Sequence, residues 1–453
     1  MKKILRLRNE LLRIGRTLIP KPIFEFFQPA YHFMLALTGA LVYRFPSRGM
    51  IVIGVTGTKG KTTACNLIAH MLQEAGHKTG MTTTVNFRIG DNVWQNEAKQ
   101  TMLGRFQLQK MLRRMANEGC EYAVVETSSE GIMQFRHTFV DYDVTVFLNL
   151  SPEHLDRHKG FDNYRAAKLK LFRKLSKNEK GIGVYNLDDE QVNHFLDIPQ
   201  YTQYGYTLSH ELVHHYERLH RIVEIKNLQL GGNGSEFDVR NDHFTLPLVG
   251  RFNIENAGAA ICVGLSQGIS MDAMRKALAS FKGVPGRMEI VPNGKGIAVI
   301  VDYAHEPKSL EAIYRATIDT KLKRENGKLI CVFGATGGGR DKWKRPAMGK
   351  VAAAYCGEIV LTNDDPYDED PIAIIKDIRK GVDETVEFKG SVYEIVDRRE
   401  AIRKALSLAQ PGDAVVLTGK GGETVMVMAK EKRIPWDERR IVEEELERLK
   451  TEN

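Results

Sequence analysis

The segment GVTGTKGKTT at 54–63 constrains the fold of this 453-residue chain more than any other part of its sequence. It follows an apolar run, Met50–Val55, and opens a stretch of helical character at 62–75. Glycines in such a loop let backbone N–H groups approach phosphate oxygens, and the start of a helix favours anions. The spacing departs from the usual phosphate loop, because the earlier glycines counted back from Lys61 are Gly57 and Gly54. Strand, loop and helix together still predict an ATP site on seven consecutive residues, namely Gly57, Thr58, Lys59, Gly60, Lys61, Thr62 and Thr63.

Short apolar runs alternate with helical stretches along most of the chain, which predicts an α/β fold with parallel sheets. The apolar runs are IVIGV (51–55), AVVE (123–126), VTVFLNL (144–150), IAVIVDYA (297–304), KLICVFGA (328–335), EIVLTN (358–363) and AVVLTG (414–419). A hairpin-like stretch at 181–248 fits either an antiparallel edge or a subdomain, and GVPGRM at 283–288 has the Pro/Gly content of a linker. We therefore predict a short helical N-terminal arm (1–48), a central P-loop ATPase domain with a parallel sheet (49–285) and a C-terminal Rossmann-like α/β domain (286–453).

The predicted arm holds most of the excess positive charge. The chain has a formal net charge of +8, and its first 48 residues hold nine Lys/Arg against Glu10 and Glu25. The nearly neutral remainder argues against a nucleic-acid partner. The apolar stretch Pro29–Tyr43 is too short to span a bilayer and lacks the features of a signal peptide. A helix packed on the next domain and a helix lying on an anionic membrane surface are both compatible with this composition.

Five cysteines are scattered without a CxxC pair, so neither a zinc site nor a disulfide framework is indicated. They are Cys65, Cys120, Cys262, Cys331 and Cys356. A reduced cytoplasm is the compartment that fits this usage best.

The phosphate loop has the form GxTGTxGKTT and resembles that of the Mur ligase and folylpolyglutamate synthetase superfamily. From about Ile51 to Arg439 the chain is similar to one branch, the UDP-N-acetylmuramoyl-tripeptide synthetases. The resemblance implies an ATP-dependent, ADP-forming amide ligase of peptidoglycan biosynthesis, which joins a carboxylate to an amine through an acyl-phosphate. Members of this branch begin with a UDP-binding α/β domain, whereas only 48 residues precede Gly49 here. The expectation is therefore that the UDP group is bound differently or that the acceptor is lipid-linked, at the inner face of the membrane.

Two further motifs carry the expected catalytic residues. ETSSEGIMQFR at 126–136 resembles E-V-S-S-H-G-L-x-Q-x-R, and the segment at 148–172 resembles N-L-x-x-D-H-L-D-x-H…Y-x-x-A-K. By this resemblance Glu126 and His154 bind two Mg²⁺ ions together with Thr62, and Lys168 carries a carbamate derived from CO₂ that supports the second ion. Lys61, Glu126, His154 and Lys168 are thus the predicted catalytic residues.

The remaining nucleotide contacts are expected from elements later in the chain. FNIEN at 252–256, GRME at 286–289 and VDYAHEP at 301–307 resemble family elements near the adenine, the phosphates and the ribose. The residues implied are Asn149, Asn253, Asn256, Arg287, Asp302 and His305. Closure of the C-terminal domain would then complete the site and exclude water.

Acceptor contacts are implied for Thr101, Ser128, Gln134 and Arg136, with Arg136 able to bind a carboxylate through two hydrogen bonds. The expected acceptor is a muramoyl-peptide, UDP-linked or lipid-linked. The family has His where this chain has Glu130, so the acceptor pocket differs from that of typical members.

The incoming amino acid is expected to meet three C-terminal loops, FGATGGGRDKWKRP (333–346), NDDPYDEDP (363–371) and GKGGET (419–424). The residues implied are Arg340, Asp364, Asp365, Tyr367, Gly419 and Glu423. Enzymes that add diaminopimelate carry D-N-P-R, whose arginine binds the distal carboxylate, but this chain has Tyr367 there. A lysine-type amino acid without that carboxylate is therefore favoured over diaminopimelate.

Three alternatives follow from the same motifs. A folylpolyglutamate synthetase-like ligase shares the phosphate loop, but it does not account for DRHKG at 156–160 or DDP at 364–366. A nucleotide-binding subunit of a lipid-linked precursor amidotransferase also lacks the UDP domain. An ATP-binding regulatory protein that has lost ligase activity is disfavoured, because Lys61, Glu126, His154, Lys168 and Glu423 are all retained.

Overall fold

The architecture is given by a computed structural model, which describes residues 21–451 apart from 99, 154, 321–323, 325 and 340. The predicted metal ligand His154 and the predicted carboxylate ligand Arg340 therefore lie outside the described residues. The described part of the predicted arm is helical: helix α1 spans Lys21–Val42 and is followed by a 3₁₀ turn at Pro46–Gly49. Among the helices of the described ranges, none combines the length and apolarity needed to cross a membrane.

A sheet of eleven strands contains the phosphate loop. Its strands are β1 (Ile51–Thr56), β2 (Thr79–Thr82), β3 (Asn86–Ile89), β4 (Asn92–Gln95), β5 (Tyr122–Glu126), β6 (Val144–Phe147), β7 (Ile182–Asn186), β8 (Thr202–Thr207), β9 (Arg221–Gly231), β10 (Gly234–Val239) and β11 (Asp242–Leu246). The helices of this part are α2 (Lys61–Glu74), α3 (Arg105–Asn117), α4 (Ser129–Met133), α5 (Leu155–His158), α6 (Phe161–Leu175), α7 (Val192–Leu196), α8 (His210–His215), α9 (Arg251–Ser266) and α10 (Met271–Ala279). Two apolar cores flank the sheet, one containing Leu67 of α2 and Ile261 of α9 and the other Leu112 of α3 and Phe172 of α6. Helices on both faces are what the alternating pattern predicted.

The strand order is β11-β10-β9-β8-β7-β6-β1-β5-β2-β3-β4, and the strands from β9 to β2 in this order are parallel to their neighbours. The strands that follow β1 in the sequence, up to β5, lie on one side of β1. The chain then crosses to the other side, where β6 pairs with β1. Such a reversal leaves a crevice at the carboxyl ends of the parallel strands, where ligands of open α/β sheets bind. The phosphate loop, Glu126 and Asn149 all follow the ends of these three central strands.

Within the stretch predicted to be hairpin-like (181–248), only β9, β10 and β11 form antiparallel pairs, whereas β7 and β8 are parallel strands; the antiparallel part is an edge of this same sheet and not a separate subdomain. β9 pairs with β8 in parallel and with β10 in antiparallel fashion, and β11 closes the edge. The β3–β4 hairpin at the opposite edge was not predicted, because β4 is short and mostly exposed and so lacks an apolar run.

A second sheet has six strands in the order β12-β13-β17-β14-β15-β16. Its strands are β12 (Glu289–Ile290), β13 (Ala298–Val301), β14 (Leu329–Phe333), β15 (Glu358–Leu361), β16 (Ser391–Glu394) and β17 (Ala414–Leu417), and a small hairpin adds β18 (Val425–Val427) and β19 (Arg433–Pro435). The helices are α11 (Pro307–Asp319), α12 (Lys344–Tyr355), α13 (Pro371–Asp383), α14 (Arg398–Leu408) and α15 (Glu438–Thr451), with a 3₁₀ turn at Ala429–Glu431. The four predicted strands are β13, β14, β15 and β17. The others escaped prediction because none has a buried apolar run of four residues.

One expectation about the cysteines was wrong. Cys331 in β14 is joined by a disulfide to Cys356, the residue after α12. The strand–helix connection returns the end of α12 to the strand from which it started, so two cysteines 25 residues apart meet in the core. A spacing argument based on CxxC pairs cannot detect a contact made by tertiary structure. Cys65, Cys120 and Cys262 are free and buried.

The loops at the carboxyl edge of the second sheet are tied to the C-terminal helix by a buried ion pair. The Arg398 guanidinium binds the Glu438 carboxylate, with Nη2–Oε1 at 2.5 Å, and both side chains are fully buried. The same guanidinium donates hydrogen bonds to the carbonyls of Asn363 (3.1 Å) and Thr418 (2.8 Å). Asn363 is the first residue of one predicted amino-acid loop (363–371) and Thr418 directly precedes another (419–424), so this pair holds those two loops at a fixed separation.

Gly286 brings the predicted linker against the second of these loops. Its φ is +64°, and a Cβ there would overlap the backbone of Gly421 and Gly422. We expect Gly286→Ala to lower the free energy of unfolding by about 2–5 kcal/mol, because strain at positive φ adds to a backbone clash. The matched control is Gly294→Ala, which has nearly the same φ of +68° but no atom within 4 Å of the new Cβ.

The comparison of the two variants separates the two costs. Gly294→Ala should lose only about 1–2 kcal/mol, the cost of a left-handed backbone for an L residue. Chemical denaturation followed by intrinsic fluorescence measures both losses. Equal losses would contradict the close approach of residues 286 and 421–422.

Candidate active site

The phosphate loop runs from the end of β1 to the start of α2, and Asn149 fixes its shape. The Asn149 Oδ1 accepts hydrogen bonds from the backbone N–H groups of Thr58 (3.1 Å) and Lys59 (2.9 Å), and its Nδ2 donates to the Lys59 carbonyl (3.2 Å). Gly60 has a φ of +80°, and a Cβ there would overlap the Oδ1 of Asn256. Asn149 and Asn256 are thus next to the predicted ATP site, because both contact the backbone of the phosphate loop.

A polar corner lies beside the loop, where β5 ends. The Glu126 carboxylate accepts hydrogen bonds from the Thr62 hydroxyl (3.0 Å), from the Thr84 N–H (2.7 Å) and from the Thr84 hydroxyl (3.0 Å). Two adjacent oxygen ligands of an octahedral Mg²⁺ with bonds of about 2.0–2.1 Å lie about 3 Å apart. The Thr62 and Glu126 oxygens therefore have the separation and the chemistry that Mg²⁺ requires. Thr84 was not predicted, because nothing in its local sequence distinguishes it from a turn residue.

Two lysine amines share one carbonyl oxygen behind the loop. Lys168 Nζ donates to the Gly57 carbonyl at 2.7 Å, and Lys61 Nζ donates to the same oxygen at 3.1 Å and to the Thr58 carbonyl at 2.8 Å. Burial lowers the pKa of Lys168 well below its usual range, and the nearby Lys61 lowers it further. Burial likewise lowers the pKa of Lys61. The Lys168 amine is thereby biased toward its neutral form, which is the form that reacts with CO₂.

Tyr164 completes the wall around this amine. It lies four residues before Lys168 on α6, and its ring centroid is 4.7 Å from Lys168 Nζ. The Tyr164 hydroxyl is 3.2 Å from the Thr58 hydroxyl. The i, i+4 spacing on a helix was the sequence signal that could have identified it.

The second sheet contributes the opposite wall. The Arg287 guanidinium lies 4.3 Å from the Tyr303 ring centroid. The Asp302 carboxylate accepts hydrogen bonds from the N–H groups of Met288 and Ala304, both at 2.7 Å, and burial raises its pKa. Asp302 therefore shapes the loop that carries Arg287 as well as facing the cavity.

His305 belongs to the same wall and lies between two lysines. Burial lowers its pKa well below the usual value, and Lys59 and Lys344 add to this effect. A neutral ring follows, with Nδ1 at 2.9 Å from the Tyr303 carbonyl and suited to donate to it. At neutral pH the ring therefore brings no positive charge to the cavity.

Two ion pairs flank His305, and sequence reasoning missed three of their four members. Lys59 Nζ is 2.7 Å from Glu153 Oε1, and Lys344 Nζ is 2.7 Å from Glu306 Oε1. Among the described residues, Glu153, His305 and Glu306 also form one of two groups with ligand atoms close enough to share a cation. Because each glutamate already pairs with a lysine, we interpret this group as an ion-pair cluster that joins loops of the two sheets.

The predicted acceptor residues Ser128, Gln134 and Arg136 lie at or just beyond the two ends of α4. The Ser128 hydroxyl accepts a hydrogen bond from the Gly131 N–H and so caps this helix. Arg136 donates to the Met102 carbonyl and, at 2.7 Å, to the Gln134 side-chain oxygen. Glu130, where the family has His, pairs with Arg157. Arg157 was not predicted and adds a second guanidinium at this end of the cavity.

The predicted amino-acid residues surround Lys420. Its Nζ is 2.6 Å from Glu423 Oε2, 2.8 Å from Asp365 Oδ1 and 3.5 Å from Asp364 Oδ1. Burial opposes the charge of Lys420, but the three carboxylates outweigh it and raise its pKa. Gly419, with a φ of +105°, places its backbone beside the Asp364 carboxylate. Three negatively charged carboxylates surround one positively charged ammonium, so the cluster has two negative charges in excess. This end of the cavity therefore favours the binding of a cation.

Most of these groups border one cavity of about 560 Å³ between the two sheets, whereas Lys420 is buried beneath its carboxylate partners. Of the predicted residues that the structure describes, Gly57 and Gln134 do not line the cavity. Gly57 lies on the side of the phosphate loop that faces away from the cavity, and Gln134 is held by hydrogen bonds from Arg136 and Arg105. The other predicted residues line it, namely Thr58, Lys59, Gly60, Lys61, Thr62, Thr63, Thr101, Glu126, Ser128, Arg136, Asn149, Lys168, Asn253, Asn256, Arg287, Asp302, His305, Asp364, Asp365, Tyr367, Gly419 and Glu423.

Comparison with known proteins agrees with this arrangement. The family model of the Mur ligase middle domain matches residues 55–264, and that of the Mur ligase, glutamate ligase domain matches residues 286–421. The UDP-N-acetylmuramoyl-L-alanyl-D-glutamate–2,6-diaminopimelate ligase of Syntrophomonas wolfei is 39% identical over 417 residues, which are 90% of this chain and 81% of that protein.

Solved structures are similar as well. A structure of a UDP-N-acetylmuramoyl-L-alanyl-D-glutamate–2,6-diaminopimelate ligase superposes with a TM-score of 0.60 at 30% identity, covering 88% of this chain and 79% of that one. The folylpolyglutamate synthase of Mycobacterium tuberculosis superposes with a TM-score of 0.65 at 18% identity, covering 85% and 92%. At that identity the second likeness shows a common fold only.

Proposed function

This chain belongs to the Mur ligase family and is an ATP-dependent ligase of peptidoglycan biosynthesis, and from that premise we propose which substrates its cavity joins. The proposed reaction adds an amino acid to the terminal carboxylate of a muramoyl-peptide through an acyl-phosphate, with release of ADP and phosphate. One observation carries the proposal. A single cavity is bordered by the phosphate loop, by the guanidinium groups of Arg136 and Arg157 and by the carboxylates of Asp364, Asp365 and Glu423, which supplies one set of groups for each of three substrates.

The residues of the chain would divide the work as follows. Lys61 and the loop N–H groups would bind the β- and γ-phosphates, and Arg287 would stabilise the charge that develops during phosphoryl transfer. Arg136 would orient the acceptor carboxylate toward the γ-phosphate. The amine of the incoming amino acid would then attack the acyl-phosphate. Walls from both sheets limit the access of water to this intermediate.

Mg²⁺ fits the corner formed by Thr62 and Glu126, where it would neutralise phosphate charge. A carbamate on Lys168 fits as well, because it would place a negative charge beside Lys61 where two amines now share one carbonyl oxygen. We propose two Mg²⁺ sites, with the Lys168 carbamate and His154 serving the second.

We propose a donor with a cationic side chain and no distal carboxylate, such as lysine or ornithine. The surplus of carboxylates around Lys420 supports this choice, as does Tyr367 in the place of the arginine that would bind a distal carboxylate. The relatives identified above act, by their names, on diaminopimelate, so the donor is the point at which this chain is expected to differ from them.

The comparisons do not favour two of the sequence-based alternatives, the folylpolyglutamate synthetase-like ligase and the amidotransferase subunit. The likeness to folylpolyglutamate synthase reaches only 18% identity, and the relatives of 34% identity or more include several diaminopimelate ligases. We propose that the reaction takes place in the cytoplasm, where ATP is available, with an acceptor carried by either UDP or a lipid.

A phosphate-release screen tests the proposal. The purified protein is given ATP, Mg²⁺ and either UDP-muramoyl-dipeptide or a lipid-linked muramoyl-peptide, together with each standard amino acid, ornithine or diaminopimelate. We expect release to require both an acceptor and a donor, with lysine or ornithine as the best donor, and mass spectrometry to identify the new amide. Diaminopimelate as the best donor would refute the donor assignment. Release that no donor stimulates would refute the ligase assignment and favour the regulatory alternative.

A further inference from the structure

Helix α1 presents large apolar side chains to solvent. It has 22 residues, yet it carries eight of the eighteen large hydrophobic side chains that are exposed in the described ranges. Seven of the eight recur at helical spacing and form one stripe, which we call the α1 apolar face: Ile23, Phe26, Phe27, Tyr31, Met34, Leu41 and Val42. Exposed apolar surface of this extent marks an interaction site.

The opposite side of α1 is the packed side, and it is built from small residues. Ala36 and Ala40 are buried, and a Cβ on Gly39 would lie 3.2 Å from the Phe106 Cα on α3. The Arg113 guanidinium of α3 donates hydrogen bonds of 2.9 and 2.6 Å to the Tyr43 carbonyl, just after α1 ends. The helix is therefore anchored by its small residues while its large residues face outward, the reverse of the usual pattern for a surface helix.

The anchored helix lies beside the acceptor end of the cavity. The Phe33 ring centroid is 6.0 Å from that of Phe135 and 5.3 Å from that of Phe139. Arg136 follows Phe135 directly, and Arg105 at the start of α3 donates a hydrogen bond of 2.7 Å to the Gln134 carbonyl. Whatever contacts the α1 apolar face is thus brought close to the predicted acceptor residues.

We propose that the α1 apolar face docks on the surface of an anionic lipid bilayer, with α1 lying in the plane of the interface. Charge identifies the occupant. The residues before and within α1 carry seven cations against two acidic residues: Lys2, Lys3, Arg6, Arg8, Arg13, Arg16 and Lys21, against Glu10 and Glu25. Arg44 and Arg48 are exposed beyond the other end of α1. Anionic lipid complements this charge, whereas a second copy of the chain would bring like charge against it.

An amphipathic helix with cations and aromatic residues binds such an interface without crossing it. In agreement, α1 has 22 residues but does not combine this length with the apolarity of a membrane span. The docking itself does not depend on the proposed ligase function. One consequence does rest on that function: a docked α1 would hold the acceptor end of the cavity near the bilayer surface, where an acceptor on a lipid carrier is presented.

Vesicle co-sedimentation of the full-length protein tests the docking. The probes are vesicles of phosphatidylcholine alone and of phosphatidylcholine mixed with phosphatidylglycerol. We expect retention on the mixed vesicles at low salt, release at high salt and weak retention on phosphatidylcholine. The double variant Phe26→Glu/Phe27→Glu should lower the partition coefficient about tenfold or more, because both rings are exposed and would enter the interface.

Val386→Glu is the matched control, since Val386 is 79% exposed on the far-removed second-sheet part of the chain. It should bind vesicles as the wild type does, and unchanged melting curves show that all variants fold. The proposal is overturned if mixed vesicles do not retain the wild type, or if the double variant is retained equally. It is also overturned if sedimentation velocity reveals a dimer that the double variant dissociates while vesicles bind neither protein. Vesicle binding needs no substrate, so its failure leaves the ligase proposal standing.

Discussion

Replacing Lys61 by alanine is expected to lower the rate of acceptor-dependent ADP formation by about a thousandfold. Its amine is the cation of the phosphate loop that can reach the β- and γ-phosphates, and removing one preorganised charge from such a site costs about 10²–10³ in rate. Its present partners are the Gly57 and Thr58 carbonyls. The Gly57 carbonyl also accepts a hydrogen bond from Lys168, so it would keep a partner when phosphate draws the Lys61 amine away. Steady-state ADP release under saturating substrates measures the loss.

The control for this variant is Lys376→Ala, which removes an exposed lysine on α13 that is not among the residues lining the cavity. Its rate should stay within about threefold of the wild type, since an exposed charge is screened by water and salt. A Lys61→Ala protein that retains most of its activity would contradict the assignment of the loop as the ATP site.

Replacing Lys168 by methionine is expected to lower the rate by about a hundredfold or more and to abolish a carbamate signal. With ¹³C-labelled bicarbonate, the wild-type protein should show one protected carbamate resonance, because the buried Lys168 amine has a lowered pKa and is available in its neutral form. The neutral form becomes scarcer as pH falls through that lowered pKa. The resonance and the activity should therefore decline together on acidification and recover with added bicarbonate.

Lys170→Met provides a control on the same helix. Lys170 lies two residues further along α6 and is exposed, so the variant should keep both the resonance and the rate. Full activity of the Lys168→Met protein would remove the proposed carbamate from the mechanism. Loss of activity without a carbamate resonance in the wild type would leave Lys168 as a positioning residue for the loop carbonyl of Gly57.

The sequence predicted those parts of the site that follow from local motifs. The phosphate loop, Glu126 and Lys168 each belong to a short segment whose spacing indicates its chemistry, and the structure brings all three to one cavity. Thr84, Tyr164 and Lys420 escaped prediction for different reasons. The partner of Thr84, Glu126, lies at the end of another strand, and strand order is not revealed by sequence spacing. Tyr164 and Lys420 stand in motifs that the sequence does show, four residues before Lys168 and three before Glu423, but only their contacts in the structure indicate what they do.

The same limit explains what was missed in the fold. Buried runs of apolar residues predicted β1, β5 and β6 and four strands of the second sheet, whereas β3 and the edge strands β4, β12 and β16 have short or exposed runs. The Cys331–Cys356 disulfide depends on the return of α12 to β14, a tertiary contact between residues distant in sequence. The predicted domain boundaries near 48 and 285 and the roles of His154 and Arg340 remain predictions.

The width of the first sheet has a consequence for behaviour in concentrated solution. A sheet of eleven strands ends in two free edges, and a free edge can recruit strands from other molecules and begin aggregation. Here one edge is β4, only four residues long, and the other is β11, where His243 pairs with Asp238 and Glu236 on the adjacent strand. A short edge and a charged edge both discourage such recruitment. The sheet can therefore be this wide without becoming a template for fibres.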